Sequence, residues 1–391
     1  MITRTTEQGY DCEVDLLVPD DNEQLPLYFR NSDTIFEFRK RTAERTNRFT
    51  AVMLIPTGIG AEIGGHCGDG NAPARLLASS CDTLVTHPNV VNASDINEMT
   101  ENALYVEGSL VTRFMTGSVG LQEVRANRLL MLMDQHQEQY FNDEVINAVS
   151  SARISLGLDC DVHTIQNPAD AVSLYAKSGR AVGEVRGIER LLDTVEHTKG
   201  DYDAVALSTL VQVPEQYHET YFHADDMVNP WGGIEAILTH SVAEAFKIPC
   251  AHSPLPVAGS LVDFEPGVVD PRKAPETASV VYLHCILKGL HHAPRIVPPA
   301  QGLSVEDISC LVIPDGCVGL PTLAAIENGI PVIAVRENRN MMQNNLSSYP
   351  FRSDKLFVVD NYLEAAGVMA ALRAGVSPHT VRRPLAYTRH I

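Results

Sequence analysis

Uninterrupted apolar runs alternate along this chain with longer segments of helical period, and many of the runs end in loops crowded with Gly, Asn, Asp and His. FTAVMLIP from Phe49, CDTLVTHP from Cys81, ALYVEGS from Ala103, NRLLMLMD from Asn127, DVHTIQ from Asp161 and YDAVALSTLVQV from Tyr202 predict strands. So do ISCLVIPDG from Ile308, IPVIAVREN from Ile330 and KLFVVD from Lys355. Runs without alternation predict strands buried on both faces, as in parallel sheets. Helices are predicted for APARLLASS, with Pro73 in its first turn, and for FNDEVINAVSSARISLG, stopped by Gly157. ADAVSLYAKSG, GIERLLDTVEHTKG, WGGIEAILTHSVAEAFK, LPTLAAIENG and YLEAAGVMAALRAG complete the helical set. SVVYLHCILKGL reads equally as a buried helix or a buried strand.

Strands alternating with helices predict an α/β protein with mostly parallel sheets, flanking helices and Rossmann-like lobes. A ligand crevice is expected at the carboxyl ends of the strands. Residues 1–48 form a more polar extension, with a strand at CEVDLLV and a helix at DTIFEFRKRTAERTN capped by Asp33. The main α/β domain is expected over 49–253 and a second lobe over 277–391. The Pro-, Gly- and Asp-rich stretch 254–276 reads as a linker or excursion.

Composition narrows the partners. At 391 residues, 45% hydrophobic and 20% charged, the chain can bury a core without staples. A formal charge of −19 disfavours nucleic acid and anionic membranes as partners. The eight cysteines form no CxxC pair, which points to a reducing compartment. No apolar signal-peptide stretch and no run of about 18 apolar residues occurs, so a cytoplasmic protein is expected. A homodimer or higher homo-oligomer is the general expectation for such a protein.

Two adjacent loops concentrate the chemistry. PTGIGAEIGGHCGDG holds Gly58, Gly60, Gly64, Gly65, Gly68 and Gly70 within thirteen residues, between a strand and a helix start. That arrangement offers backbone amides to an anion or another polar ligand. It is not GxGxxG, because Ile63 stands at the third position, and no GK[ST] follows. Thr57, Gly58, Gly60, Gly64 and Gly65 are therefore candidate substrate contacts, with His66 and Asp69 as a base and its orienting partner or as a loop-stabilising pair. The next loop, THPNVVNASDINEMTENALYVE, adds His87, Asn89, Asn92, Asp95, Asn97 and Glu107. His87 and Asp95 are candidate proton carriers, and the asparagines and Glu107 candidate substrate contacts, although Asn and Asp also serve turns.

Further along, YHETYFHADDMVNPWGG contains His218, His223, Asp225 and the only Trp, Trp231. HETYFH is not HExxH, and the alternative is an irregular loop gathering His218, His223 and Asp225 around a divalent metal. No other cofactor is expected. Glu184 and Arg186 read as a carboxylate clamp or as a surface ion pair. PDGCVGLPTLAAIENGIPVIAVREN repeats the strand–loop–helix logic and nominates Asp315, Gly316 and Gly319 for substrate and Cys317 for catalysis. This unit resembles the donor crevice of nucleotide-sugar epimerases and two-lobed glycosyltransferases. Cys67 and Cys317 together resemble the paired thiols of two-thiol racemases.

The run PTGIGAEIGGHCGDG…ARLLAS…CDTLVTHPNVVNASDINEM…NALYVEG, with NPWGGIEAILTH and IPCAHSP, resembles a bacterial family, cyanobacteria included, known only as a domain of unknown function. The resemblance spans most of residues 49–295. It implies a coherent domain and carries no activity, cofactor or catalytic residue.

The sequence thus predicts an enzyme of small-molecule metabolism. Acid–base chemistry of lyase, isomerase, racemase or hydrolase type on a small, carboxylate-bearing substrate is the leading expectation. A non-catalytic ligand sensor and a metal-dependent hydrolase are the alternatives.

Overall fold

A computed structural model of the chain describes residues 1–18, 28, 34–92, 99–224, 226–257, 267–278, 282–388 and 390. Two parallel sheets with flanking helices make up the α/β fold. The larger has six strands, ordered Leu356–Val359, Val332–Val335, Ile308–Pro314, Thr50–Met53, Thr83–Thr86 and Ala103–Tyr105, each parallel to its neighbour. Numbered by their order in the chain and read from Ala103–Tyr105, these strands run 3-2-1-4-5-6, the order of a doubly wound sheet. The smaller sheet runs Cys250–Leu255, Ala204–Leu210, Arg128–Asp134 and Asp159–Ile165, also parallel throughout.

The smaller sheet is inserted in sequence between the third and fourth strands of the larger. The six-stranded sheet therefore draws strands from both sides of the expected 254–276 boundary. The stretch itself contains the end of the Cys250–Leu255 strand, and the Ala274–Ala278 helix begins within it. Buried side chains from both sheets form one contiguous core. Central strands such as Thr50–Met53 and Ile308–Pro314 are buried at every position, which explains their unbroken apolar runs.

Three local readings differ from the sequence pattern. ADAVSLYAKSG is not a helix: Asp170–Tyr175 pairs antiparallel with Ala181–Arg186 as a hairpin. Its residues alternate between the sheet faces, and the Gly179 turn at φ +87° closes it. DTIFEFRKRTAERTN forms no helix over its described residues 34–47. Tertiary contacts override its propensity: Arg41 donates from Nη1 to the Ile308 carbonyl (2.8 Å) and from Nε to the Asn328 carbonyl (3.1 Å). In CEVDLLV only Cys12 belongs to a strand, Gly9–Cys12, which pairs with Ile2–Thr6. Asp33 lies outside the described residues.

SVVYLHCILKGL resolves as the Leu283–His291 helix. It packs across the Arg128–Asp134, Ala204–Leu210 and Cys250–Leu255 strands, so all its faces meet protein. Gly108–Met115, read only as the tail of a strand, is a helix whose N-cap is Glu107.

Candidate functional site

The carboxyl ends of the first three strands of the large sheet open onto a cavity of about 110 Å³. The Gly-rich loop after Thr50–Met53 supplies Thr57, Gly58, Gly65, His66 and Cys67 to its wall. The segment after Thr83–Thr86 supplies His87, Asn89 and Asn92, and the start of the Gly108–Met115 helix supplies Glu107 and Gly108. The opposite wall is the Gly232–Phe246 helix. Gly232, Glu235, Ala236, Thr239 and His240 recur at intervals of three and four and form one polar, small-residue stripe facing the cavity. His252, from the adjacent edge strand of the small sheet, completes the enclosure.

Several amides of the glycine loop bind side chains of the protein itself. Gly64 N–H donates to Asp69 Oδ1 at 2.7 Å, and Cys67 N–H donates to Glu276 Oε1 at 3.0 Å. Ile63 N–H donates to Asn338 Oδ1 at 2.9 Å. The loop thus holds the protein's own side chains. Its glycines are needed for closeness: a Cβ on Gly65 would stand 2.0 Å from the Ala61 carbonyl oxygen. Gly60 and Gly64 shape the loop and do not line the cavity.

Behind the wall runs a hydrogen-bonded chain. The Tyr221 hydroxyl donates to Glu276 Oε1 at 2.8 Å, so its oxygen accepts from His66 Nδ1–H, also at 2.8 Å. His66 Nε2 is left with its lone pair, and no hydrogen bond reaches it among the described residues. Burial, and then the positive charge of Arg272 and Lys273, lower the His66 pKa to about 4. Burial raises Glu276 to about 7, against the hydrogen bonds from Cys67 N–H and Tyr221. Asn229 Nδ2 also donates to Glu276 Oε1 at 3.0 Å. Lys273 fixes the helix that carries Tyr221: its ammonium donates to the carbonyls of Tyr221 and Ala224 and lies over the Tyr221 ring.

A second chain crosses the cavity. Glu107 Oε2 caps the Gly108–Met115 helix by accepting from Ser109 N–H (2.8 Å) and Leu110 N–H (3.2 Å). Its Oε1 lies 3.2 Å from His240 Nε2, and His240 Nδ1 lies 3.7 Å from Asp15 Oδ2. Burial works to lower the His240 pKa, but Glu107 and Asp15 outweigh it and the pKa is raised. Gly108 permits this approach, since a Cβ there would sit 3.0 Å from His240 Nε2.

Of the residues nominated from sequence, Thr57, Gly58, Gly65, His66, His87, Asn89, Asn92 and Glu107 line the cavity. His87 Nε2 accepts from Ile55 N–H at 3.2 Å, which places its proton on Nδ1, and burial lowers its pKa to about 4. Asn89 acts structurally: Nδ2 donates to the Ile55 and Gly64 carbonyls at 2.8 and 2.9 Å. Asp69 stands behind the loop, with Oδ2 buried and without a partner, and burial raises its pKa to about 7. Asp95, Asn97 and Asp225 lie outside the described residues.

Asp315, Gly316, Cys317 and Gly319 are not on the cavity. Asp315 Oδ1 accepts from Gly316 N–H at 2.9 Å in a tight turn, and Gly319 caps the Leu320–Asn328 helix. Cys317 is 2% exposed and burial pushes its thiol up, as it does that of Cys67. Neither thiol is set up as the thiolate that the racemase reading requires. His218 and His223 sit five apart on the Glu215–His223 helix and so on different faces. Among the described residues no group of three or more His, Cys, Asp or Glu side chains is arranged to hold a metal ion. Glu184 and Arg186 pair with each other at 2.9 Å on the surface.

Sequence reasoning missed Glu235, Thr239, His240, His252, Tyr221 and Glu276. The signal for three of them was present, as polar residues at intervals of four and one on the apolar helix GGIEAILTHSVAEAF. His252 likewise interrupts the apolar strand CAHSPL. Nothing local marks Glu276.

A doubly wound α/β protein with a polar cavity at its strand ends is the class these features define. A family model described as "Protein of unknown function (DUF3326)" matches residues 50–382, and the chain belongs to that family. The resemblance read from the PTGIGAEIGGHCGDG and THPNVVNASDINEM motifs is thereby borne out, over a longer span than 49–295. The chain is also 32% identical over 360 residues to an uncharacterized lipoprotein of Synechococcus sp., covering 87% of this chain and 96% of that relative. The name of that relative overturns the cytoplasmic expectation. Among the described residues no helix is long and apolar enough to cross a membrane. No solved structure matches the chain.

Proposed function

We propose that the cavity is the active site of an enzyme that moves a proton on a small polar molecule, with His66 as the base. The observation that carries this reading is the His66–Tyr221–Glu276 chain, two hydrogen bonds of 2.8 Å ending at a cavity wall. Nε2 has a free lone pair, and Nδ1–H is held by a phenol that burial keeps protonated. When Nε2 takes a proton, the charge on the imidazole is stabilised through Tyr221 by Glu276, the orienting logic of a base and its carboxylate partner.

A pKa near 4 leaves His66 unprotonated at neutral pH but a weak acceptor. Ionisation of Glu276 near pH 7 strengthens it. The same step serves a lyase, an isomerase or a hydrolase.

The test is to incubate the full chain with a panel of small polar metabolites in deuterated water and follow proton exchange and product by NMR. The wild type is expected to exchange or convert at least one compound, and His66→Ala to lose about 10²-fold or more of that rate. A compound that binds in the cavity with neither exchange nor turnover would instead establish a sensor.

A further inference from the structure

His87 carries a hydrogen-bond donor that the protein leaves unused. Its Nε2 accepts from Ile55 N–H at 3.2 Å, and because a backbone amide can only donate, the ring proton sits on Nδ1. The residue is 6% exposed and lines the cavity. Its Nδ1–H has no hydrogen-bond partner among the described residues, and unlike His252 Nδ1 the atom is not sealed from solvent. An unpaired donor on a residue this buried marks a place where an acceptor atom of a ligand belongs.

The ring is also held in place. Ile55 N–H fixes its far nitrogen, and Asn89 Nδ2 ties the Ile55 carbonyl to that of Gly64, two residues before His66. Burial, and then the charge of His240, lower the His87 pKa to about 4. At neutral pH the imidazole is therefore uncharged, the form that polarises a carbonyl by hydrogen bonding without giving up its proton. Gly232, the first residue of the Gly232–Phe246 helix, lines the same cavity, so the positive end of that helix dipole lies beside any negative charge that develops there. The two neutral histidines thus offer one cavity complementary atoms, a lone pair on His66 Nε2 and a donor on His87 Nδ1.

We infer that His87 is a second catalytic residue and that the substrate is an uncharged aldehyde or ketone, whose carbonyl oxygen accepts from His87 Nδ1–H while His66 Nε2 takes a proton from the adjoining carbon. The inference rests on the active-site reading for the base. In the step the C–H bond breaks and its electron pair forms a carbon–carbon double bond. The carbonyl π pair moves to oxygen, the proton rests on His66, and nothing is oxidised or reduced. A base as weak as His66 needs the charge left on the substrate to be stabilised in the transition state, and a fixed N–H aimed at that oxygen does so. An uncharged carbonyl suits the wall better than a carboxylate. Among the described lining residues there is no Lys or Arg, His240 is paired with Glu107, and Glu235 adds a negative charge. The cavity, at about 110 Å³, is somewhat smaller than the roughly 150 Å³ hole that accommodates benzene. The substrate is therefore a molecule of about half a dozen heavy atoms.

Two probes of similar size provide the test against the full chain: hydroxyacetone, labelled with ¹³C at its carbonyl, and sodium propionate, at matched ionic strength. Hydroxyacetone is expected to shift the ¹⁵N signal of His87 Nδ1 saturably, in the millimolar range that so small a probe allows. Its infrared carbonyl stretch is expected to fall in frequency when bound, as a hydrogen-bonded carbonyl does, and propionate to leave the His87 signal in place. In deuterated water the wild type is expected to exchange the protons beside the carbonyl faster than buffer alone. His87→Ala is expected to lose about 10²- to 10³-fold of that exchange and the stretch shift with it. Saturation by propionate alone, no saturation by hydroxyacetone, or a bound carbonyl with an unshifted stretch would each overturn the inference, and these wild-type readings decide even if His87→Ala fails to fold. Exchange that depends on His66 but is indifferent to His87→Ala would sink the role of His87 and leave the base standing. A shifted carbonyl with no exchange would support the recognition of the carbonyl by His87 and sink the proton transfer instead.

Discussion

The His66 imidazole and the Tyr221 hydroxyl meet at 2.8 Å although 155 residues separate them in the chain. The Gly-rich loop brings one partner and the Glu215–His223 helix the other. Glu276, from the short Ala274–Ala278 helix, closes the chain. Three segments far apart in sequence thus converge on one buried hydrogen-bonded chain.

Tyr221→Phe removes the relay while keeping the ring. The expected outcome is a fall in turnover of roughly 10- to 100-fold with little change in substrate affinity, because the hydroxyl orients His66 and does not line the cavity. In the wild type, kcat/KM is expected to rise with pH through about 7 as Glu276 ionises, and Glu276→Gln to flatten that rise. A pH–rate profile on any converted compound checks both.

His240 provides a stability test with a definite sign. Its folded pKa is raised by Glu107 and Asp15 against the opposing effect of burial. Its contribution is therefore complete below the unfolded value of about 6.5 and is lost as pH rises through the higher folded value. Urea titrations of the wild type are expected to show this loss above about pH 6.5, and Glu107→Gln to reduce it. The same substitution weakens the cap of the Gly108–Met115 helix and is expected to cost about 1–2 kcal/mol at neutral pH.

The fold was legible where burial dictates composition. Thr50–Met53 and Ile308–Pro314 are covered on both faces, and their apolar runs leave no alternative to buried strands. The hairpin 170–186 misled because ADAVSLYAKSG is short and carries apolar residues at spacings compatible with either period. Half of the site was legible for a similar reason. His66, His87 and Glu107 follow strand ends, where parallel sheets present ligands. The other half comes from tertiary packing: the Gly232–Phe246 helix and His252 belong to segments over a hundred residues away, and no local pattern shows which sheet they will face. The glycine loop was legible, but only the structure shows that Asp69 and Glu276 take two of its amides, those of Gly64 and Cys67.

Two substitutions test how the loop is held, one within it and one in the Pro88–Val91 helix beside it. Gly65→Ala drives a methyl into the Ala61 carbonyl and is expected to destabilise the chain by about 3 kcal/mol or more. Asn89→Ala frees the Ile55 and Gly64 carbonyls and is expected to cost about 1–3 kcal/mol. Chemical denaturation of the purified variants measures both.

Asp69 sets a pH dependence of its own. Burial raises its pKa from 3.8 to about 7, so between those values the folded chain holds a proton that the unfolded chain releases. Stability is expected to fall as pH rises across that interval, with a slope of at most about 1.36 kcal/mol per pH unit from this group. Asp69→Asn keeps an acceptor for Gly64 N–H and is expected to remove that slope, leaving the similar one from Glu276. Unfolding free energies from pH 4 to pH 8, compared between the two proteins, give the answer.

The central claim is that His66 is a neutral base, with its proton on Nδ1 and its lone pair toward the cavity. The ¹⁵N spectrum of the histidine rings, recorded from pH 7 down to pH 3, tests it most directly. The account predicts the Nδ1–H tautomer of His66 at pH 7, persisting until protonation near pH 4. An imidazolium at pH 6, or a proton on Nε2 at neutral pH, would contradict it.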